Sequence, residues 1–324
     1  MDRLLLALVV IVGVPAATVL YAWLVEQLLL RMPANTQRRL RPWFWLAPAL
    51  FLLIFYLVYP AINTIILSLR NANGTGFVGL QNYVYTFTNQ GMLSAMRNNL
   101  IWLLIYPLIT LSIALMIAVL SDRVRYESLV KAVVFIPMAI SYVAAGVIWK
   151  LMYEYAPPSR PQIGTINALL TNLIPSFEPK AWLIDFPIND IALIGIGIWM
   201  YTGFATVILS AGLKSIPVEL LEAARIDGAG EFDIFRHITM PLLASTIAVV
   251  ATTMIISVLK IFDVIYVMTN GNFNTEVIAL RMYKELFTFH HLGRASAIAT
   301  ILLLFTIPVM LYNIRRFRAQ EELR

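Results

Sequence analysis

Seven stretches of this 324-residue chain are each long and apolar enough to cross a bilayer as a helix. They lie at about residues 4–30, 43–67, 98–120, 132–152, 191–213, 241–268 and 295–314. A membrane helix needs about 20 mostly apolar residues, because hydrocarbon offers the backbone no hydrogen bonds except its own. A soluble domain carries about 25% charged residues; this chain carries 13%, against 60% hydrophobic. The pattern excludes a water-soluble globule and predicts an all-α, polytopic membrane bundle of seven transmembrane helices. The first stretch, with Arg3 at its start, exceeds the roughly 7–15 apolar residues of a signal peptide and is expected to be retained as a span.

Lys and Arg in the short connections set the expected orientation. Arg31, Arg38, Arg39 and Arg41 fall between the first two spans, and Arg123, Arg125 and Lys131 between the third and fourth. Lys214, Arg225 and Arg236 fall between the fifth and sixth, and Arg315, Arg316, Arg318 and Arg324 follow the last. These are more than half of the 24 basic residues, all on one side. That side is expected to be cytoplasmic, which puts the N-terminus outside and the C-terminus inside. The net charge of +6 follows from this bias. No basic patch interleaved with aromatics suggests nucleic acid.

The connection KSIPVELLEAARIDGAGEFDIFRHITMP, residues 214–241, is the most informative segment. Ser215 is expected to cap a short helix with Pro217 in its first turn. Val218, Leu221 and Ala224 would share a stripe, with Glu219, Glu222 and Arg225 beside it. Gly228 and Gly230 would end that helix. Asp233 would cap a second helix ending at Pro241. A helix resting on lipid favours Lys and Arg. The acids Glu219, Glu222, Asp227, Glu231 and Asp233 point instead to a protein partner.

Glu222-Ala223-Ala224, then Asp227-Gly228-Ala229, then Ile238 and Pro241, resemble the EAA loop of ABC-importer permeases in residues and spacing. Further matches lie in Gly79-Leu80-Gln81-Asn82-Tyr83, in Ile136-Pro137, in Ile163-Gly164 with Asn167, and in Leu292-Gly293-Arg294-Ala295. The likeness is to the carbohydrate-uptake branch, specifically the maltose F-like and glycerol-phosphate-like permeases. It covers about residues 41–316 and leaves the first span as an addition. The run Asn272-Phe273-Asn274 departs from a Gly-Gly-Pro run common in that family. The resemblance implies two parts. Residues 1–40 form an N-terminal span and basic linker, and residues 41–324 form a type I transmembrane domain of six spans with its coupling loop at 214–241. It also implies the partners: a second homologous permease, two cytoplasmic ATPases that use ATP and Mg, an external solute-binding protein, membrane lipid and a carbohydrate substrate. Similarity of residues 267–274 to α-glucoside systems points to a glucose-containing di- or oligosaccharide.

The chain has no phosphate-cradling Gly loop, no Cys and no assembled catalytic constellation. It is therefore read as a non-enzymatic subunit without a cofactor or metal of its own. The alternative weighed is a secondary carrier driven by an ion gradient. Such a carrier would show inverted repeats with interrupted helices, and no duplication is apparent. Lys260 and Asp263 are expected on one face of the sixth span, close enough to pair. Ser141 and Tyr142, with Trp199, Tyr201 and Thr202, combine aromatic faces with hydrogen-bonding groups, a mixture suited to a sugar. With Lys260 and Asp263 they are the candidates for a substrate path.

Overall fold

The computed structural model describes residues 2–122 and 124–321. Arg123 and Arg324, counted in the charge bias, lie outside the described residues. Helices α1 (Asp2–Leu30), α2 (Ala34–Leu53) and α3 (Tyr59–Ser68) come first, with a π-turn at Ile54–Val58 joining α2 and α3 into one 35-residue span. Then follow α4 (Gln81–Thr88), α5 (Gln90–Ser121), α6 (Glu127–Phe135), α7 (Tyr142–Met152), α8 (Thr165–Leu173) and α9 (Ile188–Lys214). The remainder is α10 (Val218–Ile226), α11 (Glu231–Ile234), α12 (Met240–Leu259), α13 (Asp263–Met268), α14 (Ile278–Tyr283) and α15 (Leu292–Glu321). Among the described residues six helices are long and apolar enough to cross a membrane, and a seventh crossing is available if the bent pair α6–α7 counts as one.

The chain divides into two compact units, residues 1–66 and 67–324. In the first, α1 turns back onto α2. The Tyr21 hydroxyl donates to the Phe44 carbonyl, and Arg41 Nη2 meets Glu26 Oε1 at 2.7 Å. The sequence places residues 31–42 in a loop, but only residues 31–33 turn. Helix formers such as Gln37, Leu40 and the three arginines Arg38, Arg39 and Arg41 start α2 at Ala34 instead.

The second unit is built around α5 and α9. Trp102, Tyr106, Leu193, Ile196, Met200 and Leu209 are buried between them, and Val250, Met254 and Ile265 close the core. Asn89 starts α5 by accepting the Met92 N–H at 3.2 Å, two turns before the expected start. A smaller cluster of Met92, Ala95, Ile278 and Ile298 ties α5 to α14 and α15. Thr252 Oγ1 donates to Asn313 Oδ1 at 2.7 Å, the helix-to-helix bond expected of a hydroxyl inside a membrane bundle.

Two spans expected to be straight are broken. The fourth is two helices bent by 99°. Pro137 sits in a short tight turn at Ile136–Ala139, Ile140 is extended (ψ 137), and Ser141 caps α7 by accepting the Ala144 N–H at 3.2 Å. The sixth stops at Lys260, whose φ of −107 leaves the helix, and restarts as α13 at Asp263 after Phe262 (φ −143). Gly203 of α9 packs against the first break: a Cβ there would meet the Val134 carbonyl oxygen at 2.2 Å. Only a residue without a side chain allows that approach. Gly203→Ala must therefore push α6 and α9 apart, costing about 1–3 kcal/mol as overpacking does. The expected result is an unfolding midpoint in detergent several degrees lower; an unchanged midpoint would show that the contact is not this tight.

Candidate functional site

The 214–241 connection is built differently from its sequence expectation at four points. Ser215 does not start α10; it ends α9, its Oγ donating to the Gly212 carbonyl at 2.7 Å. Pro217 is the residue before α10, because its ring fixes φ at −57 and it has no N–H to leave unpaired. Gly230, not Asp233, precedes α11, with Asp233 inside that helix. Nor does Pro241 end anything. A π-turn at Phe235–Thr239 widens the helix just before the proline, so Glu231–Leu259 runs on as one 29-residue span.

The end of α10 follows the expectation. Gly228 has φ +86 and no atom within 4 Å of a built Cβ. The Gly228 N–H donates to the Arg225 carbonyl at 3.1 Å and the Ala229 N–H to the Ala224 carbonyl at 3.0 Å. The Asp227 N–H reaches the Ala223 carbonyl at 3.0 Å. These bonds form a Schellman cap, which satisfies carbonyls a helix end would leave bare. Arg225 Nε clasps Glu231 Oε1 at 2.8 Å across the turn, and that bond raises the guanidinium above its already high ordinary value. Leu221 and Ala224 turn partly inward, but Val218 remains exposed, so the expected stripe is only partly formed. Glu219, Glu222 and Asp227 are exposed, and so are Leu220, Ile226 and Phe232. Ile226, 86% exposed at the tip of α10, is the most projecting apolar side chain of the loop. Ile238 is half-buried and Pro241 exposed. Behind α10 lies a cleft of about 400 Å³ lined by Leu213, Ile216, Leu221, Ile234 and the Arg225–Glu231 clasp. Lys214 Nζ reaches Glu127 at 2.8 Å, and Lys131 bonds both Glu127 and Ser210, so the start of α6 is fastened to the end of α9 beside the loop.

A second constellation lies between α5, α7, α9 and the α12–α13 break. Trp102, Tyr106, Tyr142, Tyr201, Ser257, Lys260 and Asp263 line a cleft of about 220 Å³. The tyrosine rings touch: Tyr106 and Tyr201 lie edge-on at 6.2 Å between centroids, and Tyr142 and Tyr201 lie at 6.3 Å. Of the substrate-path candidates, Tyr142, Tyr201, Lys260 and Asp263 share this cleft. Ser141, Trp199 and Thr202 do not. Ser141 is occupied as the cap of α7; Trp199 packs edge-on against Trp149 at 5.6 Å; the Thr202 hydroxyl donates to the Ile198 carbonyl at 2.6 Å. The expected Lys260–Asp263 pair is also corrected. The helix breaks between them, so they share no helical face, and among the described residues they make no ion pair. Sequence reasoning missed Trp102 and Tyr106, and took Ser257 for a helix-to-helix hydrogen-bonding residue, whereas its hydroxyl donates within its own helix to the Thr253 carbonyl at 3.0 Å. Trp102 is fully buried, yet its indole N–H has no partner among the described residues. One signal was available for the two aromatics: they are four residues apart, on one face of the third span.

At the end of α9 away from α10, Tyr85, Glu276, Arg281, Glu285 and Arg294 form a network. Arg281 meets Glu285 at 2.9 Å and Glu276 at 3.4 Å, and Tyr85 bonds both Glu285 (2.7 Å) and Arg281 (2.6 Å). Burial, then the bond to Glu285, pushes the Tyr85 hydroxyl above its ordinary pKa, against the opposite pull of Arg281. The pair His290-His291 belongs to no group of potential metal ligands among the described residues.

Residues 40–317 match the family described as "Binding-protein-dependent transport system inner membrane component". The chain is 53% identical over 280 residues to the osmoprotective compounds uptake permease protein GgtC of Synechocystis sp., an alignment covering 86% of this chain and all of the relative. It is 44% identical over 278 residues to the alpha-glucoside transport system permease protein AglF of Rhizobium meliloti, covering 85% and 82%. Its fold resembles a chain of a bacterial ABC transporter involved in the import of the acidic polysaccharide alginate. The TM-score is 0.74 at 21% identity, over 88% of this chain and 97% of that one.

The geometry at Gly228 ranks its substitutes. Space is open, so the cost comes from the left-handed backbone alone. Gly228→Asn, which visits that region, should loosen the turn least; Gly228→Ala should cost about 1 kcal/mol and Gly228→Val more. Amide hydrogen exchange over residues 223–229 measures this, with protection falling from Asn to Ala to Val. Equal protection in all three would show that the turn does not need a glycine.

Proposed function

We infer that this chain, which belongs to the family of inner membrane components of binding-protein-dependent transport systems, is the permease that carries a neutral, glucose-containing di- or oligosaccharide in an ABC importer. As a membrane component of that family it is not the ATP-hydrolysing subunit, and nothing favours the ion-gradient carrier. The observation that carries the substrate reading is the cleft between α5, α7, α9 and the α12–α13 break. Aromatic rings offer the apolar face of a pyranose a place to stack. The Asp263 carboxylate accepts from hydroxyls, while Lys260 Nζ and the free Trp102 N–H donate to them. The two charges sum to zero, which suits an uncharged substrate. The names of relatives support the same class: one is an alpha-glucoside permease and another, from Thermococcus litoralis, a trehalose/maltose permease. The Ser141, Trp199 and Thr202 side chains serve packing and helix capping in this reading, not substrate.

The exposed surface of α10 is the docking point for an ATPase. Glu222 supplies a carboxylate and Ile226 an apolar knob, and the Gly228 cap holds them rigidly together. A second permease completes the path, two ATPases bind below with ATP and Mg, and a solute-binding protein docks at the opposite end, over the Arg281 network. The Lys and Arg bias supports a cytoplasmic α10 and C-terminus with the N-terminus outside. Residues 1–40 add a span and a basic linker to the permease domain.

Uptake of labelled sugars by the complete complex in vesicles tests the substrate reading. Tyr201→Ala and Asp263→Asn should each raise the half-saturating sugar concentration about tenfold, equivalent to about 1.4 kcal/mol, while assembly is kept. An α-glucoside that competes with neither variant nor the parent would refute it. The coupling reading has a separate test. Glu222→Ala removes a charge-assisted bond, so the assembled complex should hydrolyse ATP without transport; normal uptake would assign Glu222 no part in coupling.

A further inference from the structure

Asp190, in the first turn of α9, is 1% exposed, and neither oxygen of its carboxylate has a hydrogen-bond partner among the described residues. A buried carboxylate left unpaired is strongly unfavourable. The cation whose field reaches it is Arg97 of α5. Arg97 is engaged elsewhere: its Nε and Nη2 donate to Asn98 Oδ1 at 3.3 and 3.0 Å, and its guanidinium lies 4.9 Å over the Phe186 ring. The Arg97 guanidinium is thus engaged by a neutral amide while the buried Asp190 carboxyl has no partner among the described residues.

The sequence neighbours of this pair give the arrangement its meaning. Asn98 Nδ2 donates to the carbonyls of Asn274 (2.6 Å) and Glu276 (2.9 Å), and Asn189 Nδ2 donates to the carbonyl of Phe273 (2.7 Å). One loop is therefore gripped from α5 and α9 at once, by the residues adjoining Arg97 and Asp190. That loop is strained at Phe273, whose φ of 56 lies in a region that a bulky side chain avoids, whereas Asn274 (φ 66) tolerates it.

We propose that Arg97 and Asp190 are two halves of a latch, an ion pair open in the conformation described here that closes in the opposite access state and draws α5 against α9 around the 273–276 loop. Closing moves Arg97 off Asn98, whose carbonyl oxygen is then free to follow the loop. The latch satisfies the buried carboxylate in one state only, so it biases the two states differently, which is what a gate must do. The proposal rests on the reading of the chain as an alternating-access permease.

The chain contains no cysteine, so Arg97→Cys with Asp190→Cys places a single thiol pair in it. The complete complex would be oxidised without nucleotide and again when trapped with ATP and vanadate, and the peptide bridging the two positions quantified by mass spectrometry. The expected result is a bridged fraction differing at least threefold between the states, with transport lost on bridging and restored by reductant. Equal fractions in both states, including none in either, would overturn the latch. A second measurement needs no thiols. Arg97→Gln and Asp190→Asn should each slow uptake several-fold, and the double variant should be no slower than the worse single. Losses that multiply would mean the two residues act separately and would also overturn it. If the parent complex shows no ATP-driven uptake, the permease reading fails and takes the latch with it; if the parent transports and the bridge is indifferent to state, only the latch fails.

Discussion

Buried asparagine side chains carry the irregular backbone of this bundle. In hydrocarbon every N–H and C=O must find a partner inside the protein, and helices provide that automatically. This chain interrupts its helices, so something else must supply the bonds at the gaps. Asn82 donates to the carbonyls of Ser68 and Arg70 at 2.8 and 2.7 Å, where α3 ends. Asn99 spans from the Val258 carbonyl to the Ile278 N–H, bracketing the broken sixth span. Asn167, fully buried, donates to Glu154 and Lys180 carbonyls and accepts from the Lys180 N–H and the Trp182 indole. A carboxamide is suited to this task because it donates and accepts at once without charge. At the break of the sixth span, which lines the cleft, Asn99 holds the edge; Asn82 and Asn167 do the same for the irregular backbone beyond the spans.

That dependence explains which parts of the fold were legible in the sequence. The long apolar windows were, since span length and composition follow directly from the bilayer. The breaks were not, because a window that averages hydropathy over 18 or more residues is blind to one turn of altered backbone. Pro137 lies in the first break but did not mark its place: Ile136 before it keeps helical angles (φ −49, ψ −44), and the chain leaves the helix only at Ile140. The second was marked only by its charges: Lys260 and Asp263 are affordable inside an apolar run because the helix stops there. Treating that run as continuous made them appear paired. The early start of α2 has a different origin, a basic segment whose residues favour helix more than their position between two spans suggested.

For the site, legibility followed locality. The turn after α10 depends on one glycine and a few neighbouring carbonyls, so the helix end at Gly228 could be read from the residues, while the EAA resemblance singled out Glu222 to Ala229 around it. The cleft depends on four helices meeting, and no sequence interval encodes that. Tyr142 and Tyr201 were found because each sits beside another polar group in its own span. Trp102 and Tyr106 were passed over because they lie in a uniformly apolar stretch, where an aromatic reads as packing. Ser141 and Thr202 show the converse: a hydroxyl beside an aromatic resembled a binding group, but its local backbone had already taken it.

The widened turn at Phe235–Thr239 gives the sixth span a mechanical property of its own. A π-turn holds one residue more than an α-turn, and each residue advances an α-helix by about 100°. Everything from Met240 to Ser257 is therefore indexed by whether that extra residue is present. A pull on α10 that straightened the turn would be delivered to the cleft as rotation about the helix axis, sweeping Ser257 around it with little change in length. Pro241, lacking an N–H to re-form the tighter ladder, keeps the gear engaged one tooth off.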